Sequence, residues 1–469
     1  MIHTVIIGGG IAGLATAYEL HRRGLGFVVL ESSSRPGGVI LSEEIDGYTI
    51  DAGPDSLLVQ KPDGIRLCEE IGLRDRLVAT KLPRLAYIQR GGRLHALPAG
   101  SILGIPTRFG PFLGTRLFSW PGKLRMGAEM FVPRRQDEGD ESIGAFMTRR
   151  FGAEATAYLA EPLLAGIHAG DVDRLSIQSL FPRFAETERQ HGSLIRAFRS
   201  PGQRAAPSPD GSFKSLPGGL GEMVDAVVRA LPAGSVRTNA AACTITGAGP
   251  FRVDSRAGEF TALAVVLATP AYVTAALLRD RDAELARLCD EVPYVSSGTV
   301  VMAFPRTAIS HALNGSGYVV PRVEGRAILA ASWLSSKWPH RAPGDRVLLR
   351  TFVGGARDPG ALDRPDPELT RLSLDAIRPI LGISGEPLFA RVYRWVRANA
   401  QHEVGHRARL GAVERALARH PGLFVTGSGF RGVGIPDCIA DGRSTAWTVA
   451  EWLANDSAVD AAVDLRRTR

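Results

Sequence analysis

The N-terminal segment places a cluster of glycines between two apolar runs, and this arrangement constrains the fold more than any other feature of the chain. Residues 3–31 read HTVIIGGGIAGLATAYELHRRGLGFVVLE. The spacing predicts a strand, a tight turn, an amphipathic helix and a second strand ending at Glu31. Such a turn brings main chain close to a pyrophosphate at the helix N-terminus. The segment therefore predicts a βαβ dinucleotide-binding unit within an α/β fold.

Each glycine of the turn has a separate expected role. Gly8 permits the tight turn, Gly10 lets the backbone approach the ligand, and Gly13 lets helix and strand pack closely. Glu31 is expected to accept hydrogen bonds from the adenosine ribose hydroxyls. The candidate cofactor contacts in this unit are Gly8, Gly9, Gly10, Ile11, Ala12, Gly13, Glu31 and Ser32.

The residues after the second strand indicate which dinucleotide is bound. They read ESSSRPGG, with Arg35 available to a phosphate and the pair Gly37 and Gly38 letting a second backbone segment pass close to the ligand. The spacing of Glu, Arg and two glycines resembles the signature of the flavin-binding amine oxidase superfamily, which implies FAD. A later turn in DAGPDSLL is expected to line the cofactor as well. Its candidates are Gly53, Pro54, Asp55 and Ser56.

Length and charge limit the remaining choices. A chain of 469 residues predicts two or three domains. Only five of the 56 basic residues are lysines. Arginine grips carboxylates well, which would suit an anionic substrate or lipid surface, although codon usage is the favoured explanation of the bias. The chain has no lysine-rich tail or base-stacking pattern, so nucleic acid is not an expected partner. The four cysteines are isolated, which predicts no metal site and fits a reducing compartment.

Two segments bear on membranes. The run 261–278 approaches spanning length, but Pro270 and three threonines divide it, so we expect a buried strand followed by a helix. The N-terminus carries no signal pattern, and a cytoplasmic protein is expected. In 105–135 aromatic and basic residues alternate, which suits peripheral contact with the inner face of the cell membrane or a helical subdomain that packs its own apolar side.

Several later segments narrow the family. EPLLAGIHAGDVDRLSIQSLFPRF, SLPGGLGEMVDAV, SKWPH, FVGGARDP, GHRARL and GVGIPDCI occur in this order. Together they resemble the oxygen-dependent porphyrinogen oxidases of haem biosynthesis, from residue 2 to about 450. The resemblance implies non-covalent FAD that accepts hydride from a porphyrinogen, six electrons lost in three cycles, and molecular oxygen reduced to hydrogen peroxide. It also leaves open a hand-off of the product to the next enzyme of the pathway.

The resemblance further implies a Rossmann-like FAD-binding domain, a discontinuous substrate domain and a helical membrane-binding-type subdomain. The expected ranges are 1–75, 210–284 and 396–469 for the FAD domain, 76–98 and 285–395 for the substrate domain, and 99–209 for the helical subdomain.

Substrate contacts carry over from the family position by position. Arg84 falls where an arginine grips a ring propionate, and Gly166 falls where a backbone carbonyl faces the pyrrole N–H groups. His168 replaces the usual Tyr or Phe and is expected to pack rather than to polarise substrate. Ala242 stands where Val usually contacts adenine through its backbone, and His402 ends an Ala-Gln-His that replaces Pro-Gln-Tyr. No acid or base is identified, because the hydride leaves to the cofactor.

The closing stretch GFRGVGIPDC brings main chain to the isoalloxazine. The resemblance assigns this contact to Val433, Gly434 and Ile435, with Gly427 in the turn before them. A thiol in this stretch raises the alternative of a reactive cysteine. We expect Asp437 to cap the following helix and Cys438 to pack as a small apolar group.

The substrate is less well determined than the reaction. GSILGIPTRFGPF and SKWPHRAPGDRVLLR look most like enzymes that oxidise coproporphyrinogen III, whereas Arg84 resembles those that favour protoporphyrinogen IX. Taken together, these segments slightly favour coproporphyrinogen III as the expected substrate, with protoporphyrinogen IX a close second. An amine oxidase or carotenoid desaturase remains an alternative, although neither is expected to share GIHAGD or GVGIPDC. A non-catalytic tetrapyrrole carrier that keeps FAD is the alternative from another class.

Overall fold

The structure is a computed structural model that describes residues 2–98, 101–102, 105–106, 109–200 and 211–467. The strands are β1 Ile2–Ile7, β2 Phe27–Leu30, β3 Ser42–Ile45, β4 Tyr48–Asp51, β5 Leu57–Leu58, β6 Val78–Ala79, β7 Ala86–Arg90, β8 Arg93–Ala96, β9 Ser101–Ile102, β10 Ile105–Pro106, β11 Phe213–Ser215, β12 Val236–Arg237, β13 Ala242–Thr246, β14 Phe251–Ser255, β15 Gly258–Leu267, β16 Tyr294–Pro305, β17 Gly317–Val319, β18 Ala330–Trp333, β19 Arg346–Gly354, β20 Phe389–Ala400 and β21 Leu423–Val425.

The α-helices are α1 Ile11–Arg22, α2 Asp63–Glu70, α3 Phe109–Gly114, α4 Trp120–Gly127, α5 Ile143–Phe151, α6 Ala153–Ala155, α7 Ile177–Leu180, α8 Pro182–His191, α9 Leu194–Arg199, α10 Gly221–Ala230, α11 Ala271–Leu278, α12 Ala283–Asp290, α13 Leu334–Lys337, α14 Asp366–Leu381, α15 His406–Leu417 and α16 Ile435–Arg467. A π-helix spans Thr156–Ala165, and 3₁₀ turns span Arg74–Arg76, Ala128–Phe131, Gly166–His168, Arg306–Ala308, Arg322–Glu324, Gly355–Arg357 and Ala361–Asp363.

The first sheet carries the predicted βαβ unit at its centre. Its strand order is β12, β2, β1, β15, β14 and β13, and β21 also pairs with β15. β1 pairs in parallel with both β2 and β15, so the carboxyl ends of these strands meet at one edge. Ligands of open parallel sheets bind at such an edge, where the loops after the strands converge. Strands from three distant parts of the chain therefore build one cofactor-facing edge.

Two apolar layers cover this sheet. One contains α1, α10 and the start of α16, and the other contains α11, α12 and α15. α1 and α16 cross closely because Gly442 has no side chain: a Cβ built there would lie 2.3 Å from the carbonyl oxygen of Ala12. The strand and helix predicted within 261–278 are confirmed as β15 and α11. No helix in the described parts of the chain is long and apolar enough to cross a membrane.

The second sheet is a mixed seven-stranded layer in the order β20, β16, β19, β18, β17, β7 and β8. β7 and β8 pair in antiparallel register across a turn at Gly91 and Gly92. β16 pairs with β19 and β20 over nearly its whole length. The long strand β20 then returns the chain to the first sheet. The domain boundaries themselves stay a prediction.

The described part of 99–200 is mainly helical, as the sequence predicts, with a short hairpin of β9 and β10 in addition. The stretch 105–135, of which 107 and 108 lie outside the described residues, divides between two environments. Phe112, Leu117, Phe118 and Met126 join a core with the later helices. Leu113, Trp120, Leu124 and Phe131 are exposed. The helical region therefore packs one side of this stretch and leaves the other uncovered.

Candidate functional site

The glycine turn between β1 and α1 shows which glycines serve the fold and which serve a ligand. A Cβ built on Gly8, whose φ is +108°, would lie 2.6 Å from the carbonyl oxygen of Ala268. One built on Gly13 would lie 2.0 Å from the carbonyl oxygen of Gly8. A Cβ on Gly10 would meet no described atom within 4 Å. Gly10 therefore faces open space, as a backbone that approaches a pyrophosphate must.

The segment 35–40 forms the second wall of this space. Gly37 donates its N–H to the carbonyl oxygen of Gly9 at 2.8 Å, and Gly38 lies beside Gly10. The Arg35 guanidinium donates to the carbonyl oxygens of Gly38 at 2.7 Å and Ile40 at 3.0 Å. Arg35 thus braces the glycine turn, and the expectation that it is available to a phosphate stays a prediction.

Glu31 closes the end of the βαβ unit. Its carboxylate accepts the Gly9 N–H at 2.7 Å and the Ser33 N–H at 2.8 Å, and the Ser32 hydroxyl lies 3.3 Å away. Its carbonyl accepts the N–H of Ala240, two residues before Ala242 begins β13. The predicted ribose and adenine contacts are therefore adjacent, because one residue holds both segments.

The closing stretch reaches the same space from the other side. A Cβ on Gly427 would lie 3.5 Å from the Cβ of Ala12 in α1. The Gly427 N–H donates to the buried Asp441 carboxylate at 2.8 Å. Gly434 is exposed, Val433 is half-buried, and Ile435 is buried at the start of α16. Main chain from both ends of the sequence thus borders one cleft.

The expectation for Asp437 is wrong, and the expectation for Cys438 is confirmed. Asp437 is not the helix cap, because α16 begins at Ile435 and places it in the first turn. Its carboxylate pairs with Lys61 Nζ at 2.6 Å. In the first turn of α16 its negative charge also interacts favourably with the positive end of the helix dipole. Cys438 is buried, its thiol lies 3.2 Å from the Gly432 carbonyl oxygen, and burial raises its pKa to about 12. Cys438 packs and has no reactive thiolate.

The 51–56 turn is fixed by a buried polar network. Gly53 packs against the carbonyl of Val39 and the indole of Trp395. The Asp55 carboxylate lies 2.9 Å from Lys337 Nζ and 3.0 Å from the Arg350 guanidinium. Burial alone would raise the pKa of Asp55, but these two cations outweigh it and hold the pKa well below its usual range. The Asp55 side chain therefore fixes the 51–56 turn through these two ion pairs and is not free to contact a ligand.

The remaining residues of this turn, Pro54 and Ser56, are half-buried, and the Ser56 hydroxyl donates to Asp55 at 2.9 Å.

The predicted substrate contacts Gly166 and His168 form a 3₁₀ turn directly after the π-helix. π-Helical segments occur frequently at functional sites. Ala169, the next residue, has a φ of +50°, and Gln401 Nε2 donates to the carbonyl oxygen of His168 at 3.0 Å. Ala356 donates its N–H to Ala169 at 2.8 Å. The turn is thus held in an uncommon conformation by two distant segments.

The His168 ring keeps partial solvent access within a crowded interior. It meets Phe181 edge-on at 6.2 Å between ring centroids. Burial, followed by the charge of Lys61, lowers the pKa of His168 to about 4, so the ring is neutral at pH 7. This ring and the Lys61–Asp437 pair bring the substrate side close to the closing stretch.

Two further histidines lie behind this turn. The buried rings of His402 and His406 stack 3.8 Å apart. Their Nε2 atoms lie 2.9 Å from the Ser428 carbonyl oxygen and 2.8 Å from that of Phe430. Burial and the neighbouring His406 lower the pKa of His402 to about 3. The pair therefore fixes the loop that precedes the flavin-contact residues.

Arg84 lies on the segment between β6 and β7. Its Nε donates to the carbonyl oxygen of Thr80 at 3.1 Å, and its side chain packs at Gly211. Its role toward a propionate stays a prediction.

The residues present fit a flavin dinucleotide. An open space in front of Gly10, a helix that begins there without a side-chain cap, and main chain from Gly38 form a cradle that any Cβ at Gly10 would fill. No group of three or more His, Cys, Asp or Glu in the described ranges could hold a metal.

Comparison with known proteins decides the family. The model of the family described as flavin containing amine oxidoreductase matches residues 11–450. The chain belongs to this family. It is therefore an FAD-dependent oxidoreductase, and the predicted cofactor is confirmed at the level of the family.

Within the flavin-containing amine oxidoreductases, similarity extends over nearly the whole chain. The coproporphyrinogen III oxidase of Bacillus subtilis is 35% identical, over 94% of this chain and 96% of its own. The mitochondrial protoporphyrinogen oxidase of Nicotiana tabacum is 28% identical, over 96% and 95%. The crystal structure of a putative protoporphyrinogen oxidase from Exiguobacterium superposes with a TM-score of 0.85 at 32% identity, covering 96% of this chain and 98% of its own.

Three parts of the site do not follow from the motifs. Asp441, which orders Gly427, has only one sequence signal, an acidic residue on an otherwise apolar helix face. Arg350 is signalled by its position as a cation in the apolar run RVLLRTF, since a buried arginine requires a carboxylate partner, whereas Lys337 in SKWPH has no such signal.

Proposed function

We propose that this oxidoreductase converts a porphyrinogen to a porphyrin in haem biosynthesis, with molecular oxygen as the acceptor and hydrogen peroxide as its product. The observation that carries this is the 35% identity to a coproporphyrinogen III oxidase over nearly the whole of both chains. The lower value of 28% for a protoporphyrinogen oxidase favours coproporphyrinogen III as the preferred substrate. Protoporphyrinogen IX is the close second.

The chain contributes position and environment to this reaction. When bound, FAD supplies the hydride acceptor. The main chain at Gly10, Gly38 and Val433–Ile435 holds the dinucleotide. Gly166 and His168 line the slot for the macrocycle, where the Gly166 carbonyl oxygen accepts from the pyrrole N–H groups and the neutral His168 ring packs beside it. Arg84 is the proposed anchor for a ring carboxylate.

The direct test is turnover of the two porphyrinogens, followed by the appearance of porphyrin fluorescence. We expect coproporphyrin III to form faster than protoporphyrin IX, with peroxide released in both assays. Arg84→Gln should raise KM about tenfold, since a charged hydrogen-bonded contact is worth roughly 1.5–3 kcal/mol. Absence of porphyrin from either substrate would exclude the proposal.

Two other functions are distinguished by further assays. An amine oxidase would oxidise an amine and leave both porphyrinogens unchanged. A flavin-bound tetrapyrrole carrier would bind a porphyrinogen under anaerobic conditions without bleaching the flavin absorbance. We expect bleaching by the porphyrinogen and no reaction with amines, because Gly166 and His168, which share one turn, are the residues that the family resemblance assigns to the macrocycle.

Peripheral membrane contact is a second part of the proposal. Trp120 and Leu124 lie four residues apart on one face of α4 and are 64% and 72% exposed, and Phe131 is 78% exposed. Aromatic and aliphatic side chains beside basic residues suit a lipid interface. Sedimentation with phosphatidylglycerol vesicles should capture the protein. Trp120→Ala with Leu124→Ala should abolish capture, whereas the exposed Trp447→Ala should not.

A further inference from the structure

A small polar pocket lies where the end of β16 meets the loop that precedes β19. Its volume is about 230 Å³. Polar side chains dominate the lining, which includes Lys81, Arg306, Ser335, His340, Arg341 and Arg346. None of these residues has a part in the flavin or porphyrinogen site proposed above.

The positive charges around this pocket are poorly balanced. Arg341 is neutralised by a buried ion pair with Asp51 at 2.7 Å. The Arg306 guanidinium instead donates to the carbonyl oxygens of Ile309 at 2.5 Å and His311 at 3.0 Å, which carry no net charge.

Lys81 and Arg346 add two more cations to the same wall. Lys81 Nζ donates to the carbonyl oxygen of Ser335 at 3.2 Å. In the described part of the chain the one ion pair of Arg346 is with Asp345, at 3.8 Å, and that carboxylate is 81% exposed, where an ion pair is weak. Three cations therefore face one small volume with little compensation.

Main-chain contacts hold these cations in place. Pro305 and Arg346 are register partners in β16 and β19, and Arg306 donates its N–H to the carbonyl oxygen of Asp345 at 2.8 Å. The Lys81 N–H donates to Lys337 at 2.9 Å. His340 at the rim has a φ of +61°, a conformation that non-glycine residues adopt mainly where the surroundings enforce it. The pocket is a built feature of the fold.

We propose that this pocket binds a compact multivalent oxyanion, either a phosphate group or a small polycarboxylate. Arginine and lysine side chains recognise both anions, and serine hydroxyls can complete the donor set. Since one water occupies about 30 Å³ in the liquid, the pocket volume of about 230 Å³ is equivalent to roughly eight waters, which suits a phosphate or a citrate and is too small for a tetrapyrrole. The bound anion would also fix Lys81, and with it the segment that carries Arg84. The site does not depend on the porphyrinogen assignment.

Calorimetric titration of the FAD-loaded protein with orthophosphate and with citrate tests this site. Sodium chloride holds the ionic strength constant, so that general screening does not contribute. We expect saturable binding of one anion per chain. Lys81→Gln with Arg346→Gln should raise the Kd about tenfold or more, since each charged hydrogen bond lost contributes that order. The matched control, Arg229→Gln with Arg371→Gln, removes two exposed charges from α10 and α14 and should bind as the wild type does.

The two titrants separate the sources of the anion. Binding of phosphate alone identifies a phosphate group, and binding of citrate alone identifies a polycarboxylate; both results support the site. Equal binding by wild type and the Lys81/Arg346 variant would overturn it, as would no binding of either anion above chloride. If circular dichroism shows that the double variant is unfolded, Lys81→Glu alone supplies the same comparison, because it changes only one exposed side chain. This variant should also bind the anion more weakly than the wild type.

Discussion

The proposed cofactor side of the site is main chain at Gly10 and Gly38, which lie side by side, whereas the proposed substrate side depends on side chains such as His168, near which Lys61 lies. Backbone offers the same N–H and C=O groups at every residue, so the cofactor side needs glycines to bring them close. The substrate side needs particular side chains, and the fold must bring those together from distant segments. Substitutions on the two sides should therefore have different effects on folding, flavin binding and stability.

The largest expected effect separates two glycines of one turn. Gly13→Val should prevent folding, because even its Cβ would lie 2.0 Å from the carbonyl oxygen of Gly8. Gly10→Val has open space for its side chain and should fold, but should lower the flavin content about tenfold or more by filling the pyrophosphate position. Circular dichroism and the flavin-to-protein absorbance ratio measure the two outcomes. A yellow, fully loaded Gly10→Val protein would contradict the placement of the cofactor.

The next effect contrasts a buried with an exposed carboxylate on the two sides of the site. Asp55→Asn leaves Lys337 and Arg350 without their charged partner and should lower the free energy of unfolding by about 3–5 kcal/mol. Asp437→Asn breaks the exposed pair with Lys61 and should cost about 0–1 kcal/mol. Urea unfolding of both variants gives the comparison. Similar losses for the two would show that Asp55 is not held as the structure has it.

The cofactor side could be predicted from the sequence because its signals are local. The βαβ unit places Gly8, Gly13 and Glu31 within one short segment, and the structure has β1, α1 and β2 there. The packing of Cys438 also follows from local context, since an apolar helix face surrounds it. One short segment contains both the turn and the residues that require it, so the spacing of these residues is enough to predict the turn.

The substrate side could not be predicted in the same way. His402 lies beside Ser428 and within the influence of His168, and no motif links these three positions. The expectation that Asp437 caps α16 was wrong for a related reason. Its partner Lys61 is 376 residues away, and only the fold brings the two together. Side chains that only the tertiary structure brings together form no sequence motif with a fixed spacing, so the sequence does not predict the pairing.

A smaller effect follows from the neutral histidines of the substrate side. The pKa of His402 is about 3 in the folded chain against about 6.5 in an exposed histidine. The unfolded state therefore binds more protons between these values, so stability is complete above about pH 6.5 and falls as the pH is lowered, by up to about 1.4 kcal/mol per pH unit for each such group. Urea unfolding from pH 7.5 to 4.5 measures the slope.

His402→Phe tests the source of that slope. This variant should be less stable at pH 7.5, because Ser428 loses its donor, but its stability should fall less steeply with acid. Replacement of the exposed His21 by Gln serves as the control and should leave the slope unchanged. An unchanged slope in His402→Phe would assign the acid sensitivity to other groups.

The smallest effect concerns the thiol of the closing stretch, which belongs to the cofactor side although it is a side chain. Cys438→Ala removes a buried sulfur that has no ionised form near neutral pH, so kcat should change by less than about twofold. In the native protein a thiol reagent should modify the exposed Cys243 rapidly, and the buried Cys68, Cys289 and Cys438 only after unfolding. Rapid modification of Cys438, or loss of turnover in the alanine variant, would show that the glycine cradle depends on a side chain after all.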